Sequence, residues 1–363
     1  MVPKKDIKSL YRDELAEHMA ERGEPSYRTD QIMEWLYERL AESFDDMSNL
    51  PMILRQHLPK DFELNAVRAL RTRRATDSTE KFLFELHDGS LVETVLIPAT
   101  PGLTSRSDRV TLCISTQVGC AYRCAFCASG LDGVKRNLSA AEIVDQVVQV
   151  RRRSDERIDN IVVMGMGEPL ANYDNLMRAL RIINAPWGLG IGARKITVST
   201  VGLVPRIKAL AAEPMQIRLA VSLHGTTDDV RDKIMPVNKK HPLSELIEAC
   251  RYYRTKSGRM MTFEYILIDG VNDGLDQAQR LGEIASDLRA KVNLIPYNEV
   301  AGLPLRRPDA GRCKAFQRML KTHGVTATLR REKGDKIAAA CGQLRLQHTA
   351  DEEGAADVAN GSR

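Results

Sequence analysis

The 363-residue chain has little of several features that mark common classes of protein. Its apolar runs reach only strand length, so the sequence predicts no helix that spans a membrane. The first residues, MVPKKDIKSLYRDELAEH, hold no apolar stretch of the kind that a secretory signal needs, and we therefore expect a cytoplasmic protein. Aromatic residues make up 5% of the chain, and we find no aromatic motif of the kind that stacks on RNA bases.

Cysteine is also scarce, with seven residues in the chain. Seven is an odd number and too few for a fold that disulfides hold together. Hydrophobic residues reach 43%, which is enough for a buried core and excludes a disordered chain. At roughly 100–200 residues per domain, the length predicts about two domains. In a reducing compartment, we expect each cysteine to bind metal, to react or to pack.

The formal net charge of +5 is unevenly distributed. Residues 349–363 hold four acidic residues and one basic residue, so they carry −3 and the remainder carries +8. We expect a disordered acidic tail over residues 347–363. Basic clusters elsewhere fit a polyanion such as RNA, although each one alone is more typical of a solvated surface. The clusters are Arg68, Arg71, Arg73 and Arg74; Arg151, Arg152 and Arg153; Lys239 and Lys240; Arg306 and Arg307; and Arg330, Arg331 and Lys333.

Periodicity divides the chain into an N-terminal region and a core. The segment TDQIMEWLYERLAESF has apolar residues at helical spacing and predicts a helix capped by Thr29 or Asp30. KFLFEL and LVETVLI predict the two strands of a β hairpin, with the turn at residues 87–90. We therefore predict a small helical and β accessory domain over residues 1–90, which binds RNA, and a core over residues 91–346.

From Arg109 onward, strand patterns alternate with helix patterns. The six strands are RVTLCIS, NIVVMG, KITVST, IRLAVSLH, MTFEYILI and KVNLIP. Five amphipathic helices lie between them, and Ser139 with Glu142 predicts a capping box at the first. This alternation predicts an α/β fold with a parallel sheet. Since a complete barrel has eight repeats, six predict an open, partial (β/α)6 barrel with its site at the carboxyl ends of the strands.

Three cysteines follow the first strand in the run CAYRCAFC, at positions 120, 124 and 127. Thiolates at such short spacings hold iron–sulfur clusters. A structural zinc ion is the alternative, but it requires a fourth ligand and the loop contains no further Cys or His. Cys120, Cys124 and Cys127 therefore predict a cluster that keeps one coordination site open.

The spacing C-x3-C-x2-C on the first loop of a six-repeat barrel resembles the radical S-adenosylmethionine (SAM) superfamily. The resemblance implies a [4Fe-4S] cluster whose open iron binds SAM, and reductive cleavage of SAM to a 5′-deoxyadenosyl radical. The sequence GMGEP after the second strand is similar to the glycine-rich SAM segment of that superfamily. Its glycines allow close approach of the backbone, and the carboxylate of Glu168 can accept a hydrogen bond from the SAM ammonium group.

Further motifs make the resemblance closer. RVTLCISTQVGC, GMGEPLANYDN, VSLHGTTDDVRDKIMPVNKK, EYILIDGVND, NLIPYN and GDKIAAACGQL are similar to the RlmN family of C2-adenine RNA methyltransferases, as is the N-terminal YRTDQIMEWLYERLAESFDDMSNLP. The likeness extends over residues 25–346. It implies methylation of adenine C2 in the peptidyl-transferase centre of 23S rRNA and in tRNA, next to the anticodon on its 3′ side. We also expect two SAM molecules per turnover, an electron donor such as flavodoxin, and a monomer.

The same resemblance implies roles for three residues in the reaction. Cys341 corresponds to the thiol that takes a methyl group from one SAM to form S-methylcysteine. Cys113 corresponds to the thiol that resolves the covalent protein–RNA adduct and ends in a disulfide with Cys341. Glu93 corresponds to the general base that removes the C2 proton. The connection from Glu93 to Cys113 looks longer than is usual in the family, and we expect a loop insertion that leaves the strand in place.

The SAM-binding residues implied by the resemblance lie near strand ends. They are Gly167, Glu168, Ser199, Ser222, Leu223, His224 and Asn298. His224 lacks partners at the spacing of metal ligands, so we expect it to hydrogen-bond. Cys250 and Cys313 fall within predicted helices, with no motif around them, and we expect both to pack or to lie at the surface.

Two other functions compete with this interpretation. The sister group Cfr methylates C8 of adenine, and a Cfr-like enzyme is the nearest alternative. A metal-stabilised RNA-binding factor is the non-enzymatic alternative, but it leaves GMGEP and Cys341 unexplained. The longer N-terminal region and its motif favour methylation at C2.

Overall fold

The computed structural model describes residues 4–98, 109–300 and 302–330, and farther on residues 337, 339, 340 and 342–344. Cys341, the predicted tail at 347–363 and residues 99–108 lie outside these ranges. The described residues form ten α-helices and fourteen strands. The helices are α1 (Arg12–Glu21), α2 (Tyr27–Tyr37), α3 (Met52–Asp61), α4 (Ala140–Arg153), α5 (Tyr173–Asn184), α6 (Val204–Ala212), α7 (Asp228–Ile234), α8 (Leu243–Ser257), α9 (Leu275–Asp287) and α10 (Ala310–Thr322). The strands are β1 (Lys5–Asp6), β2 (Phe62–Glu63), β3 (Val67–Arg74), β4 (Glu80–Leu86), β5 (Leu91–Ile97), β6 (Val110–Cys113), β7 (Gln117–Gly119), β8 (Val134–Asn137), β9 (Ile158–Val163), β10 (Ile196–Thr200), β11 (Arg218–Ser222), β12 (Met261–Leu267), β13 (Lys291–Pro296) and β14 (Ala327–Leu329).

Ten of the strands form one sheet, in the order β14-β13-β12-β11-β10-β9-β6-β5-β4-β3. Strands β6 and β9 to β14 run parallel, and β5, β4 and β3 extend the sheet as antiparallel neighbours. In the part of the chain that the structure describes, β14 and β3 each pair on one side only, so the sheet is open. The predicted α/β partial barrel is therefore confirmed.

All six predicted strands of the core are present, and a seventh, β14, adds to the parallel edge. The sequence analysis missed β14 because three residues are too short for a periodic signal. The predicted capping box of α4 is also confirmed. Ser139 Oγ accepts the amide hydrogen of Glu142 at 3.1 Å, and the Glu142 carboxylate accepts that of Ser139 at 2.8 Å.

The predicted β hairpin is confirmed as β4 and β5, with the turn at 87–90, but it is not a separate unit. Strand β5 pairs antiparallel with β6, with Val95 opposite Cys113. The two strands that flank residues 99–108 are therefore paired with each other in a regular register. The predicted domain boundary at residue 90 falls in the turn between two hydrogen-bonded strands, and it stays a prediction.

The two faces of the sheet differ in polarity. Residues that point outward, such as Leu112, Ile161, Val198 and Phe263, are fully buried beneath the helices. The opposite face, here called the inner face, is polar and partly exposed. Since paired residues of neighbouring strands point to the same side, the register places a set of them on the inner face. This set is Cys113, Val162, Thr197, Ser199, Ala220, Ser222, Glu264 and Asn293.

Buried charges join the N-terminal region to the core. Lys8 Nζ lies 2.8 Å from Asp145 Oδ1 of α4, and both side chains are fully buried. The other carboxylate oxygen of Asp145 accepts the amide hydrogen of Val67 at 3.0 Å. Arg152 of α4 donates to Leu40 O at 2.8 Å and to Asn65 Oδ1 at 2.9 Å. Arg152, from the basic cluster at residues 151–153, therefore hydrogen-bonds within the protein.

The helix predicted in the N-terminal region is α2, but its predicted cap is wrong. The helix begins at Tyr27, so Thr29 and Asp30 lie in its first turn, and Ser26 occupies the N-cap position. Thr29 is instead fully buried. Among the described residues, no helix combines the length and the apolar character that a bilayer crossing requires.

Candidate active site

The three cysteines of the first loop line one cavity. Strands β7 and β8 pair antiparallel and flank this loop. The amide of Cys120 donates to Gly133 O at 2.9 Å, and that of Cys127 donates to Cys124 O at 3.0 Å. A Cβ on Gly119 would lie 2.0 Å from Gly133 O, so a larger residue there would push the two strands apart. The β7–β8 pair therefore fixes where Cys120, Cys124 and Cys127 meet the cavity.

The electrostatics of the loop fit a metal centre. Burial raises the pKa of Cys120 to about 12, and burial raises that of Cys124 well above its usual value. Cys127 raises both further by charge repulsion. As thiolates, these cysteines would need positive charge nearby, which the iron of an iron–sulfur cluster would supply.

Among the described residues, no group of three His, Cys, Asp or Glu side chains is close enough to bind a single metal ion. The donor set itself, three cysteine thiols without a fourth Cys or His in the loop, fits an iron–sulfur cluster better than a tetrahedral zinc site.

The two glycines of GMGEP pack the second loop against the first. A Cβ on Gly165 would lie 2.7 Å from Ile114 O, and one on Gly167 would lie 2.5 Å from the Gln117 Cβ. Gly167 also has a φ of +99°, which favours glycine. These glycines therefore allow the two loops to pack closely. Both also line the cavity, and their predicted close approach to SAM stays a prediction.

Glu168 joins the second and third loops of the barrel. Its Oε1 accepts the amide hydrogen of Leu170 at 3.0 Å, and its Oε2 accepts that of Val201 at 2.8 Å. Burial raises the pKa of Glu168 to about 7, although these hydrogen bonds oppose the shift. The residue lines the cavity, and its predicted contact with the SAM ammonium group stays a prediction.

The next strands contribute further predicted residues to the same cavity. Ser199, Ser222 and His224 line it, together with Gly167 and the three cysteines. The Leu223 side chain is fully buried, and Leu223 does not line the cavity. Asn298 is buried and does not line the cavity either.

His224 is a neutral hydrogen-bonding residue. Its Nδ1 accepts the amide hydrogen of Ile266 at 3.0 Å, so the proton of the neutral ring is on Nε2. Burial lowers its pKa to about 3, and the charge of Arg231 lowers it further. The ring meets Phe126 of the cysteine loop edge-on, with centroids 4.7 Å apart.

Glu93 and Cys113 lie on neighbouring strands, β5 and β6, and both side chains point to the inner face. Val95 pairs with Cys113, and Glu93 is two residues from Val95, so all three side chains point the same way. Glu93 and Cys113 are buried, and neither lines the cavity. Glu93 also forms an ion pair with Lys81, which the sequence analysis did not predict.

Cys341 lies outside the described residues, but described neighbours of it contact the cysteine loop. The amide of Ala128 donates to Gly342 O at 2.8 Å, and Ser129 Oγ donates to Leu344 O at 2.6 Å. Gly342 lines the cavity. Cys250 and Cys313, in contrast, are buried within α8 and α10, as predicted.

Sequence reasoning missed several residues that shape the site. Gln117 Oε1 accepts the amide hydrogen of Glu168 at 2.7 Å, and Asn272 Nδ2 donates to His224 O at 2.7 Å. Arg231 is fully buried and donates to Ser222 O, Leu223 O and Val201 O. These three residues lie inside the motifs QVGC, DGVND and DDVRDKIMP, and that position was the only sign of their role in the sequence.

Several exposed basic clusters remain candidates for RNA contact. Arg68, Arg71, Arg73 and Arg74 lie on the exposed edge strand β3, where Arg68 pairs with Glu85. Lys239 and Lys240, and Arg306 and Arg307, are exposed. Arg330 lines the cavity, whereas Arg331 and Lys333 lie outside the described residues.

Comparisons with known proteins agree with this site. Residues 114–281 match the family model of the Radical SAM superfamily. Residues 5–64 match that of the ribosomal RNA large subunit methyltransferase N-terminal domain. A probable dual-specificity RNA methyltransferase RlmN 3 of Opitutus terrae is 56% identical over 346 residues, which cover 92% of each chain. A probable dual-specificity RNA methyltransferase RlmN of Akkermansia muciniphila is 49% identical over 98% of this chain and 99% of its own.

A solved structure is similar over nearly the whole chain. The crystal structure of a radical SAM methyltransferase from Sphaerobacter thermophilus superposes with a TM-score of 0.89 at 45% identity. The match covers 94% of this chain and 100% of that one. This protein and that methyltransferase therefore share one fold.

Proposed function

The chain belongs to the RlmN family of radical SAM RNA methyltransferases, and from that premise we propose that it methylates C2 of adenine in RNA. Its substrates are the adenine in the peptidyl-transferase centre of 23S rRNA and the adenine next to the anticodon, on its 3′ side, in tRNA. The names of the relatives, probable dual-specificity RNA methyltransferases, support action on two kinds of RNA.

One observation carries this proposal. The three cysteines of the first loop, the glycine-rich segment and the polar residues of the third and fourth strands all line one cavity at the carboxyl ends of the strands. The cavity opens to the surface, and its lining combines apolar side chains with a few polar groups, as is typical of small-molecule sites.

The residues present fit a [4Fe-4S] cluster and SAM. Cys120, Cys124 and Cys127 would bind the cluster, and the other predicted residues that line the cavity would contact SAM: Gly167, Glu168, Ser199, Ser222 and His224. Leu223 would add to this set although it does not line the cavity. Asn298 completes this proposed set. When bound, the cluster and SAM supply a carbon radical, which adenine C2 requires because it has neither an acidic proton nor a nucleophilic lone pair.

Three residues of the chain would handle the methyl group and the proton. Cys341 would carry the methyl group as a thioether, Cys113 would release the product by forming a disulfide with Cys341, and Glu93 would take the C2 proton. The common face of Glu93 and Cys113 supports their pairing in one reaction. Gly342, the residue that follows Cys341 in the sequence, lines the cavity and accepts a hydrogen bond from the Ala128 amide, which supports a role for this segment in the reaction.

We further propose two SAM molecules per turnover, one as methyl donor and one as radical source. An electron donor such as flavodoxin would supply the reducing equivalents. The protein would act as a monomer in the cytoplasm, and the exposed basic residues of β3 would bind RNA backbone.

The position of the new methyl group tests the proposal. Digested RNA from cells that express the protein is analysed by mass spectrometry, with a strain that lacks methyltransferase activity as host. We expect 2-methyladenosine in both 23S rRNA and tRNA. If the product is 8-methyladenosine, the enzyme is Cfr-like and the C2 assignment is wrong.

Cysteine variants test the assigned roles. Cys341→Ala should abolish RNA methylation while cluster content and SAM cleavage persist. Cys113→Ala should accumulate a covalent protein–RNA adduct that migrates more slowly on a denaturing gel. Cys250→Ala, a buried cysteine of α8, is the control and should retain methylation. Normal methylation by Cys341→Ala would exclude its carrier role.

A further inference from the structure

Glu264 is a buried carboxylate on the wall of the cavity. It lies on β12 and is 5% exposed. Its Oε1 accepts a hydrogen bond from Asn293 Nδ2 at 2.9 Å. Its Oε2 is buried and has no hydrogen-bond partner among the described residues. A buried carboxylate oxygen without a donor is costly to a folded protein, which indicates that something else supplies the donor.

The position of Glu264 connects it to the proposed SAM site. In the register of the parallel strands, Ser222 pairs with Glu264, so both side chains point from neighbouring strands to the inner face. Neighbouring strands lie about 4.8 Å apart. A ligand that touches Ser222 is therefore within reach of Glu264.

The residues around Glu264 indicate what kind of hydrogen-bond donor would suit its Oε2. Isoleucine side chains at 266 and 295 line the cavity beside Glu264, and the polar His224 and Arg330 lie on the same wall. Burial raises the pKa of Glu264, and Arg330 opposes this shift. A hydroxyl group that donates to Oε2 would stabilise the charged carboxylate without adding another charge.

We propose that Glu264 binds the ribose of SAM by accepting a hydrogen bond from one of its two hydroxyl groups at Oε2. This inference rests on the proposed function, because it requires SAM in this cavity. The cysteine loop is formed by residues after β6, whereas Glu264 lies on β12, four strands away in the sheet order. With the methionine end of SAM at the cluster, the nucleoside end would lie toward the later strands of the sheet, where Glu264 lines the cavity. Glu264 would thus be a positioning residue that orients the sugar.

The test uses S-adenosylhomocysteine, which carries the same ribose and has no methyl group to transfer. Anaerobically reconstituted holoprotein is titrated with this compound and with its 2′-deoxy and 3′-deoxy derivatives. For the wild-type protein, we expect one deoxy derivative to bind about tenfold more weakly, as for the loss of a hydrogen bond to a charged group. Glu264→Gln should bind the parent compound about tenfold more weakly and should discriminate less against that derivative, because a neutral amide forms a weaker hydrogen bond with the hydroxyl group than a carboxylate does.

Thermal unfolding separates this role from a structural one. Because Glu264→Gln keeps the shape and removes a buried charge, we expect its melting temperature without ligand to equal or exceed that of the wild type. Glu283→Gln, on the exposed face of α9, is the matched control and should change neither binding nor melting.

The outcomes distinguish the two proposals. If the wild-type holoprotein does not bind S-adenosylhomocysteine, the proposed function fails. If it binds and Glu264→Gln retains the affinity and the discrimination, only the role of Glu264 is wrong. A lower melting temperature with equal weakening for all three compounds would assign Glu264 to the fold and would also overturn the inference.

Discussion

The Lys81 ammonium group lies 2.7 Å from Glu93 Oε1, on neighbouring strands of the antiparallel extension. Both side chains are at least nine-tenths buried. The proposed general base is therefore held by a fixed cation on the inner face, where the sequence pattern showed only a carboxylate in an apolar run.

Removal of Lys81 should destabilise the fold. Lys81→Met leaves the Glu93 carboxylate buried beside an apolar group, and we expect a loss of about 3–5 kcal/mol in the free energy of unfolding. Urea denaturation of the single variants and of Lys81→Met with Glu93→Gln measures the coupling. The double variant should be more stable than Lys81→Met alone.

The control for this pair is an exposed one. Arg251 and Asp287 form an ion pair at 2.8 Å with side chains 53% and 58% exposed. Arg251→Met should cost about 0–1 kcal/mol, since exposed pairs contribute little. Equal losses for Lys81→Met and Arg251→Met would contradict the importance of burial.

Gly167→Ala should disturb the contact between the first two loops. The added Cβ would lie 2.5 Å from the Gln117 Cβ, and the φ of +99° disfavours alanine. We expect a loss of about 1–3 kcal/mol in stability and weaker binding of S-adenosylhomocysteine. Calorimetry measures the stability of the variant and its binding of S-adenosylhomocysteine. Gly192→Ala is the control, because a Cβ there meets nothing within 4 Å.

Asp6→Asn should change how stability depends on pH. Burial raises the pKa of Asp6 from 3.8 to about 7, against the attraction of Lys8. The native state therefore holds the proton more tightly, and this contribution to stability is full below about pH 4 and lost as pH rises through about 7. Asp6→Asn should remove this loss, so that it gains stability over the wild type between pH 5 and pH 8.

Urea denaturation at several pH values measures this difference. Asp155→Asn, in an exposed loop, is the control and should follow the wild-type profile. A constant difference between Asp6→Asn and the wild type across this range would show that Asp6 does not titrate there.

Arg231→Lys should weaken the site although it keeps the charge. The guanidinium group of Arg231 donates to Asn238 Oδ1 at 2.8 Å and to carbonyl oxygens at the ends of β10 and β11. One ammonium group cannot reproduce this planar set of donors. We expect a lower melting temperature and at least tenfold weaker binding of S-adenosylhomocysteine, since unpaired buried carbonyls cost about 1–3 kcal/mol each. Arg318→Lys, exposed on α10, should leave both values unchanged.

Local sequence determined much of the protein. Apolar strand patterns that alternate with helix patterns predicted the six core strands, and Ser139 with Glu142 predicted the start of α4. Both signals are local, because hydrophobic patterns and capping depend on neighbouring residues. The spacing of Cys120, Cys124 and Cys127 likewise predicted a shared centre, since three thiols in eight residues cannot lie far apart.

Only the tertiary structure decided which distant residues meet. The extension of the sheet by β3, β4 and β5, the partnership of Lys81 with Glu93, and the pairing of Ser222 with Glu264 depend on strand register. Register arises from contacts between residues far apart in sequence, and no local pattern encodes it. The sequence therefore determined the elements and the cysteine loop, whereas packing decided that a carboxylate of the fifth core strand faces the same cavity.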